Sequence, residues 1–327
     1  MRKVPLGRTS VEVSALGFGA APMAGLYRSV SEEVAAESVA AALEAGVSYF
    51  DTAPHYGLGL SERRLGKALA SASDFVVSTK VGRRLEPIPV AGDDLANGFA
   101  VPATHRRFWD FSAAGVLASV ESSLDRLGLS RVDILLLHDP DDHWDRAVGE
   151  ALPALEELRA KGSVGAIGAG MNQWQMLARL VAETSVDVVM LAGRYTLLEQ
   201  SALDELLPLC SQRQVSVLAA GVFNSGLLSR PVVAPDAKYN YEEAPPELIK
   251  TARRMAEVCG RFGVTLPQAA LQFPLGHPAV ASVVIGARTA EQMAENARLF
   301  ASPVPQECWA ALKSEGLLRQ DAPVPSS

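Results

Sequence analysis

Several things are scarce in this 327-residue sequence. Cysteine appears three times, at Cys210, Cys259 and Cys308, an odd number at wide spacings. Neither a disulfide framework nor a zinc knuckle fits that pattern. Cations are outnumbered: Lys plus Arg total 30 against 37 for Asp plus Glu, a formal net charge of −7. A nucleic-acid partner is not expected, because phosphate-backbone binding needs clustered cations that displace counterions. The start, Met1-Arg2-Lys3-Val4-Pro5-Leu6-Gly7, has no apolar core of a secretion signal, and no uninterrupted apolar run reaches membrane-spanning length. The expectation is a soluble, cytoplasmic protein with no membrane partner.

What is present is a regular alternation. Hydrophobic residues make up 48% of the chain, and a chain this long buries roughly three quarters of its unfolded surface, so it needs no covalent staples. Short apolar runs recur at Leu16–Ala20, Val47–Thr52, Phe75–Val81, Val132–His138, Val164–Ala169, Val186–Ala192, Val215–Ala220 and Ala281–Ile285. They seldom alternate with polar residues, as expected of parallel strands buried on both faces. Amphipathic stretches separate them. In 31–45, Ala35, Val39, Ala42 and Leu43 share one helical face, Ser29-Val30-Ser31-Glu32 reads as a capping box, and Gly46 sits where a helix ends. Eight strand–helix units predict an α/β fold, a closed (β/α)8 barrel of the TIM type, although a doubly wound open sheet uses similar units. Before it, Val4–Leu6 and Val11–Ser14 flank Gly7-Arg8-Thr9 as an N-terminal hairpin. Two segments, Gly82–Phe111 after the third strand and Gly221–Pro246 after the seventh, are too long for connectors and read as functional covers. Pro305–Leu317 reads as one more helix, and Arg319–Ser327, rich in Pro and Ser, as a frayed tail. No low-complexity linker divides the chain, so 1–327 is expected to be a single domain.

In three consecutive strands the apolar run ends in a proton-active residue: Asp51 after Val47-Ser48-Tyr49-Phe50, Lys80 after Phe75–Thr79, and His138 after Ile134–Leu137. The C-terminal mouth of barrel strands is where active sites on this fold are built. Each residue also has a plain structural role open to it: His138 as a core histidine bonded to a carbonyl, Lys80 surfacing at a strand end, Asp51 capping its turn. Tyr56 follows in Asp51-Thr52-Ala53-Pro54-His55-Tyr56-Gly57. A phenol, with a pKa near ~10, is a poor acid or base at neutral pH. A neighbouring Lys80 cation lowers that value, Asp51 keeps the lysine charged, and His138 is free to hold a substrate oxygen.

That arrangement resembles the aldo-keto reductase family, with its Asp–Tyr–Lys–His tetrad. The resemblance runs from Leu16-Gly17-Phe18-Gly19 through Phe50-Asp51-Thr52-Ala53, Tyr56-Gly57, Ser78-Thr79-Lys80, Asp133–His138 and Ile285-Gly286-Ala287-Arg288-Thr289 to Glu295-Asn296. It implies catalysis by Asp51, Tyr56, Lys80 and His138, with Tyr56 as general acid/base. It also implies a nicotinamide cofactor held without a Rossmann domain; Gly17-x-Gly19-x-x-Pro22 lacks the third glycine of a dinucleotide fingerprint. By resemblance that cofactor lies along Gly19, Asp51 and Asn172. It then crosses Gly221, Phe223, Asn224, Gly226 and Leu227 and ends over Ile285, Gly286, Ala287, Arg288, Gln292 and Asn296. Asn172 would bind the carboxamide, unless it caps the helix over 173–183. Two departures stand out: Ala192 replaces the glutamine that most relatives place before Tyr195, and no Tyr-Ser-Pro-Leu stretch follows the seventh strand.

These variants, with Arg106-Arg107-Phe108-Trp109-Asp110-Phe111-Ser112, resemble the aldose 1-dehydrogenase branch, including L-fucose, D-threo-aldose and pyridoxal 4-dehydrogenases. The branch implies oxidation of a cyclic hemiacetal to a lactone, with a sugar or aldehyde as the small-molecule partner. Arg106, Trp109 and Phe111 are candidate substrate contacts beside Tyr56 and His138; the plain alternative is a loop anchored on the barrel rim. NAD is expected to be preferred and NADP possible, because Gly286 and Gln292 stand where phosphate-selective relatives carry cations, leaving Arg288. Two rival readings remain. A metal-dependent hydrolase would use His138-Asp139-Pro140-Asp141-Asp142-His143, but the first strand supplies no histidine pair and His277 stands alone, so no metal is expected. A nicotinamide-binding sensor or channel subunit would bind cofactor without turnover.

Overall fold

The computed structural model describes residues 1–90, 92–240 and 242–326. Ala91, Tyr241 and Ser327, which belong to the two long segments and the tail, lie outside the described residues. The chain opens on an antiparallel hairpin, β1 (Lys3–Pro5) and β2 (Glu12–Ser14), with Val4 opposite Val13. Next come β3 (Leu16–Gly19), β4 (Tyr49–Asp51) and β5 (Val76–Val81). An excursion follows: β6 (Arg83–Pro87), β7 (Asp93–Asp94), β8 (Phe99–Pro102) and β9 (His105–Trp109). The remaining strands are β10 (Ile134–His138), β11 (Ala166–Met171), β12 (Val188–Ala192), β13 (Ser216–Ala220), β14 (Lys238–Tyr239), β15 (Glu242–Glu243) and β16 (Val280–Gly286). Strands β3, β4, β5, β10, β11, β12, β13 and β16 close into a parallel barrel. The expected (β/α)8 TIM barrel is the fold, and closure removes the open-sheet alternative.

Side chains alternate along each strand, so every barrel strand serves two apolar layers. Tyr49, Ile134, Leu136, Val188, Met190 and Leu218 meet inside the barrel, and Leu6, Val11 and Val13 of the hairpin close its floor. Phe50, Val77, Leu135, Leu137, Val189 and Val217 face the surrounding helices. The same alternation fixes the mouth. Asp51 is two residues beyond Tyr49, and His138 two beyond Leu136, so both share the inward face. Gly17, the first glycine of the apparent fingerprint, makes room for packing instead: a Cβ there would meet the Tyr49 ring at 2.7 Å.

Helix α1 (Glu32–Glu44) begins at Ser31, whose side chain accepts from the Val34 amide. The capping box expected from Ser29 is therefore replaced by a cap two residues later, because Ser31 is itself extended (φ −73°, ψ 166°). Gly46 takes φ +79° just past its end, as its position implied. Helices α2 (Leu60–Leu69) and α3 (Ala113–Leu127) pack side by side outside β4 and β5. Helix Ala290–Ala301 follows β16, and the last helix, Gln306–Ser314, lies within its expected span.

Two further expectations need correction. The segment after β5 is not a plain loop but two antiparallel pairs, β6 with β9 and β7 with β8. An exposed ribbon held by charged cross-strand neighbours carries no apolar period to read. The tail packs instead of fraying. Ala322 is buried, Arg319 pairs with Asp204 and Asp321 at 2.5 and 2.8 Å, and a Cβ on Gly276 would meet the Pro323 carbonyl at 2.6 Å. Among the described residues no helix is long and apolar enough to cross a membrane.

Candidate active site

Four side chains converge at the mouth between β4, β5 and β10. Lys80 Nζ donates to both Asp51 oxygens at 2.8 and 2.7 Å, to the Thr52 carbonyl at 3.0 Å and to Tyr56 Oη at 3.1 Å. Asp51 also accepts from Ser78 Oγ at 2.7 Å, and Ser78 Oγ bonds the Tyr49 hydroxyl at 2.9 Å. The His138 ring stands edge-on to Tyr56, centroids 5.8 Å apart. Tyr56 rides on the turn between β4 and α2, which is pinned at its far side. Thr52 Oγ1 bonds Ser61 Oγ at 2.7 Å, and the fully buried Glu62 accepts from Thr79 Oγ1 at 2.8 Å and Arg126 Nε at 2.6 Å.

The electrostatics differ in one respect from the sequence expectation. Burial works against a charged Lys80, but Asp51 and then Tyr56 outweigh it and hold the ammonium above its ordinary pKa. Lys80 does pull the Tyr56 phenol down, yet burial is the larger effect, and the phenol is pushed up to about 12. His138 lies well below an ordinary histidine, first through burial and then through Lys80 and Arg83, so the ring is neutral. Its Nδ1 is buried without a partner. The mouth is thus a neutral phenol on a charged lysine beside a neutral imidazole, an arrangement that can hand one proton to or from a substrate oxygen.

The walls come largely from the excursion after β5. Phe99 lies 6.2 Å from the Tyr56 ring and 5.5 Å from His55, while Arg83 pairs with Asp139 next to His138. Trp109 is half-exposed, with Arg83 over its ring at 4.4 Å and His143 at 5.0 Å. Phe111 is buried beneath it, stacked at 5.9 Å and packed on Gly82, so it supports the wall and offers no face to a ligand. Arg106 points the other way and pairs with Glu86 on the exposed side of the ribbon. Its neighbour Arg107 is the arginine that turns inward, donating to His55 Nδ1 at 2.6 Å. Sequence reasoning missed His55, Arg83, Asp94, Phe99 and Arg107; the one available signal was His55 standing next to Tyr56.

Beside this mouth a cleft of 630 Å³ runs between β13, β16 and the segment after β3. It is lined by Asn172, Gly221, Phe223, Asn224 and Gly226, and farther along by Ile285, Gly286, Arg288, Gln292 and Asn296. Gly19, Asp51, Leu227 and Ala287 do not line it; Leu227 and Ala287 are core residues. Asn172 Nδ2 donates to the Ala192 carbonyl at 3.1 Å, and the helix Trp174–Glu183 has no side-chain cap, so capping is not its role. Asn224 donates to the Gly193 carbonyl at 3.3 Å while its Oδ1 is buried and unpartnered, and Arg288 Nε is likewise unpartnered. An elongated polar ligand such as a dinucleotide fits a cleft with an orphan acceptor at one end and an orphan donor at the other. Sequence reasoning missed Tyr27, Arg230 and Asn240, which also line it. Among the described residues no group of three or more His, Cys, Asp or Glu is placed to hold a metal.

The description "Aldo/keto reductase family" belongs to a family model that matches residues 15–315. The chain belongs to the aldo/keto reductase family. It is an oxidoreductase of that family, whose members generally use nicotinamide cofactors. It is 46% identical to a D-threo-aldose 1-dehydrogenase from a Pseudomonas species, over 94% of this chain and 95% of that one. It is 39% identical to a pyridoxal 4-dehydrogenase from Microbacterium luteolum, over 97% and 98%. Among solved structures it resembles the holo form of an aldo-keto reductase from Bacillus halodurans. The TM-score is 0.77 at 27% identity, over 100% of this chain and 99% of the other.

Proposed function

We propose that the protein oxidises the C1 hydroxyl of a cyclic aldose hemiacetal to a lactone, with NAD as the better cofactor and NADP as a weaker one. The observation that carries the reaction class is the continuous Asp51–Lys80–Tyr56 hydrogen-bond chain at the barrel mouth, beside a neutral His138. A nicotinamide ring bound in the cleft would accept a hydride from the substrate carbon. Tyr56 Oη, as phenolate, takes the hydroxyl proton. Lys80 stabilises the phenolate, and Asp51 keeps Lys80 charged and aimed. The neutral imidazole of His138 orients the substrate oxygen. Asn224 Oδ1 and Asn172 are the groups available to the carboxamide where Ala192 replaces the usual glutamine.

The aldose reading draws on the relatives named for aldose and pyridoxal oxidation. A panel of aldoses and pyridoxal, followed at the nicotinamide absorbance band, tests it. Oxidation of at least one aldose is expected; activity confined to reducing open-chain aldehydes overturns it. Because Tyr56 must lose its proton and its pKa is pushed up to about 12, the oxidation rate should keep rising through alkaline pH. A plateau already at pH 7 would remove the phenolate step.

The NAD preference rests on the uncharged Gly286 and Gln292; Gln292 Oε1 is already engaged by the Arg288 amide at 3.0 Å. Arg288 has a lowered pKa, chiefly through burial and then through Arg28, a second guanidinium near the same end. That pair accounts for residual NADP use. Replacing Gln292 with arginine should shift preference toward NADP by about tenfold, about 1.4 kcal/mol. A wild-type enzyme with higher kcat/KM for NADP at equal ionic strength overturns the preference.

A further inference from the structure

One part of the mouth has no task in the proton chemistry. His55 stands edge-on to Tyr56 (6.0 Å), Phe99 (5.5 Å) and His138 (5.6 Å). Its Nδ1 accepts from Arg107 Nε at 2.6 Å, and Arg107 Nη2 donates to the His55 carbonyl at 2.9 Å. The same guanidinium is gripped by both oxygens of Asp94 at 2.7 and 2.6 Å, and that carboxylate is 4% exposed. A guanidinium can only donate, so His55 Nδ1 carries no proton and the single ring proton must sit on Nε2. Nε2 has no hydrogen-bond partner among the described residues, and the ring is only partly buried. Burial, then Arg107, Arg83 and Lys80, hold the imidazole down to about 3. It is therefore a donor of fixed direction and no charge. A charged donor beside Tyr56 would disturb the phenol; a neutral one does not.

We propose that His55 is a substrate-binding residue whose Nε2–H donates to a ring hydroxyl of the sugar, and that Arg107, held by Asp94, is the positioning residue that fixes this tautomer. The assignment deepens the lactol-oxidation reading and rests on it. A second N–H donor of fixed direction in the mouth, besides His138, selects for a substrate that presents a hydroxyl there. A substrate lacking it leaves that donor unpaired when the mouth is closed from water.

A cycle between enzyme and substrate tests this. The aldose oxidised fastest in the panel is compared with its 2-, 3- and 4-deoxy analogues, using wild type, His55→Phe and His55→Gln. Wild type should lose about tenfold or more in kcat/KM on one deoxy analogue, the scale of a neutral hydrogen bond. His55→Phe should lose a similar factor on the parent sugar and less than about threefold on that same analogue, and His55→Gln, which keeps an N–H donor, should recover part of the loss. Equal losses on the parent and all analogues overturn the assignment while leaving lactol oxidation standing. Absence of turnover on every aldose overturns the function itself, and the assignment with it. Independently of activity, ¹⁵N spectra of the ring should show an unprotonated Nδ1 and no titration between pH 5 and 8. Arg107→Leu should let the ring titrate closer to an ordinary histidine; an ordinary titration already in wild type overturns the clamp.

Discussion

At the scale of single residues, the mouth is a chain of donors and acceptors that leaves one member able to change state. Lys80 spends its three protons on Asp51, Thr52 and Tyr56, so the phenol is the only acceptor left able to change state. Tyr56→Phe should lower kcat by roughly two to four orders of magnitude. Cofactor affinity, read from quenching of protein fluorescence, should stay near wild type; retention of near-normal turnover removes Tyr56 from the mechanism. Lys80→Met should cost both activity and stability, because Asp51 is then a buried carboxylate with no cation. About 3–5 kcal/mol is expected in denaturant unfolding, and a loss below 1 kcal/mol would mean that Ser78 alone satisfies it. Asp51, Lys80 and His138 were legible in the sequence because each ends an apolar run in the inward phase of its strand. The net state of Tyr56 was not. Its pKa depends on burial by Phe99 and His138, which lie far away in the chain.

At the scale of elements, two devices hold the reacting residues in place. One is Glu62 on α2, fully buried and bonded to Thr79 of β5 and Arg126 of α3. It locks the turn carrying Tyr56 against the strand carrying Lys80. Glu62→Ala should destabilise the protein by about 3 kcal/mol or more, since Arg126 and Thr79 lose a shared buried partner. It should lower kcat without altering the pH profile, because no proton-transferring group is removed; a changed profile would give Glu62 a part in the chemistry. The second device is β9. Its period of two turns Arg107 and Trp109 toward the mouth and Arg106 and Phe108 away, where Arg106 meets Glu86 and Phe108 lies under Arg84. Arg106, a candidate contact from the sequence, lies on the Glu86 side for that reason. Within a segment taken as loop there is no phase to assign, and a one-residue error exchanges the two faces.

At the scale of the whole molecule, the barrel was legible because its eight apolar runs follow the buried parallel-strand pattern, each bounded by an amphipathic stretch. The packed tail was not, because Pro and Ser composition describes a free chain and says nothing of Ala322 or Arg319 finding partners on the barrel. Three imidazoles weaken the fold on the acid side. His55 and His277 are held down to about 3 and about 4, chiefly by burial, and His138 lies well below ordinary for the same reason. Unfolded, each would protonate near 6.5. Below that pH the unfolded chain binds protons the native state refuses. The contribution is therefore full above 6.5 and lost as pH falls toward 3, by up to about 1.4 kcal/mol per unit for each ring. Thermal midpoints should drop clearly between pH 7 and 5; a flat profile would mean that these rings accept protons in the folded state. The excursion between β5 and α3 has a wider consequence. It supplies Phe99, Arg107 and Trp109 to the mouth, while none of its described residues lines the cleft beside it, so it behaves as an exchangeable cassette on a constant engine. Grafting residues 82–111 from a relative should retune what the enzyme accepts, provided the graft brings its own counterpart of the Asp94–Arg107 bolt.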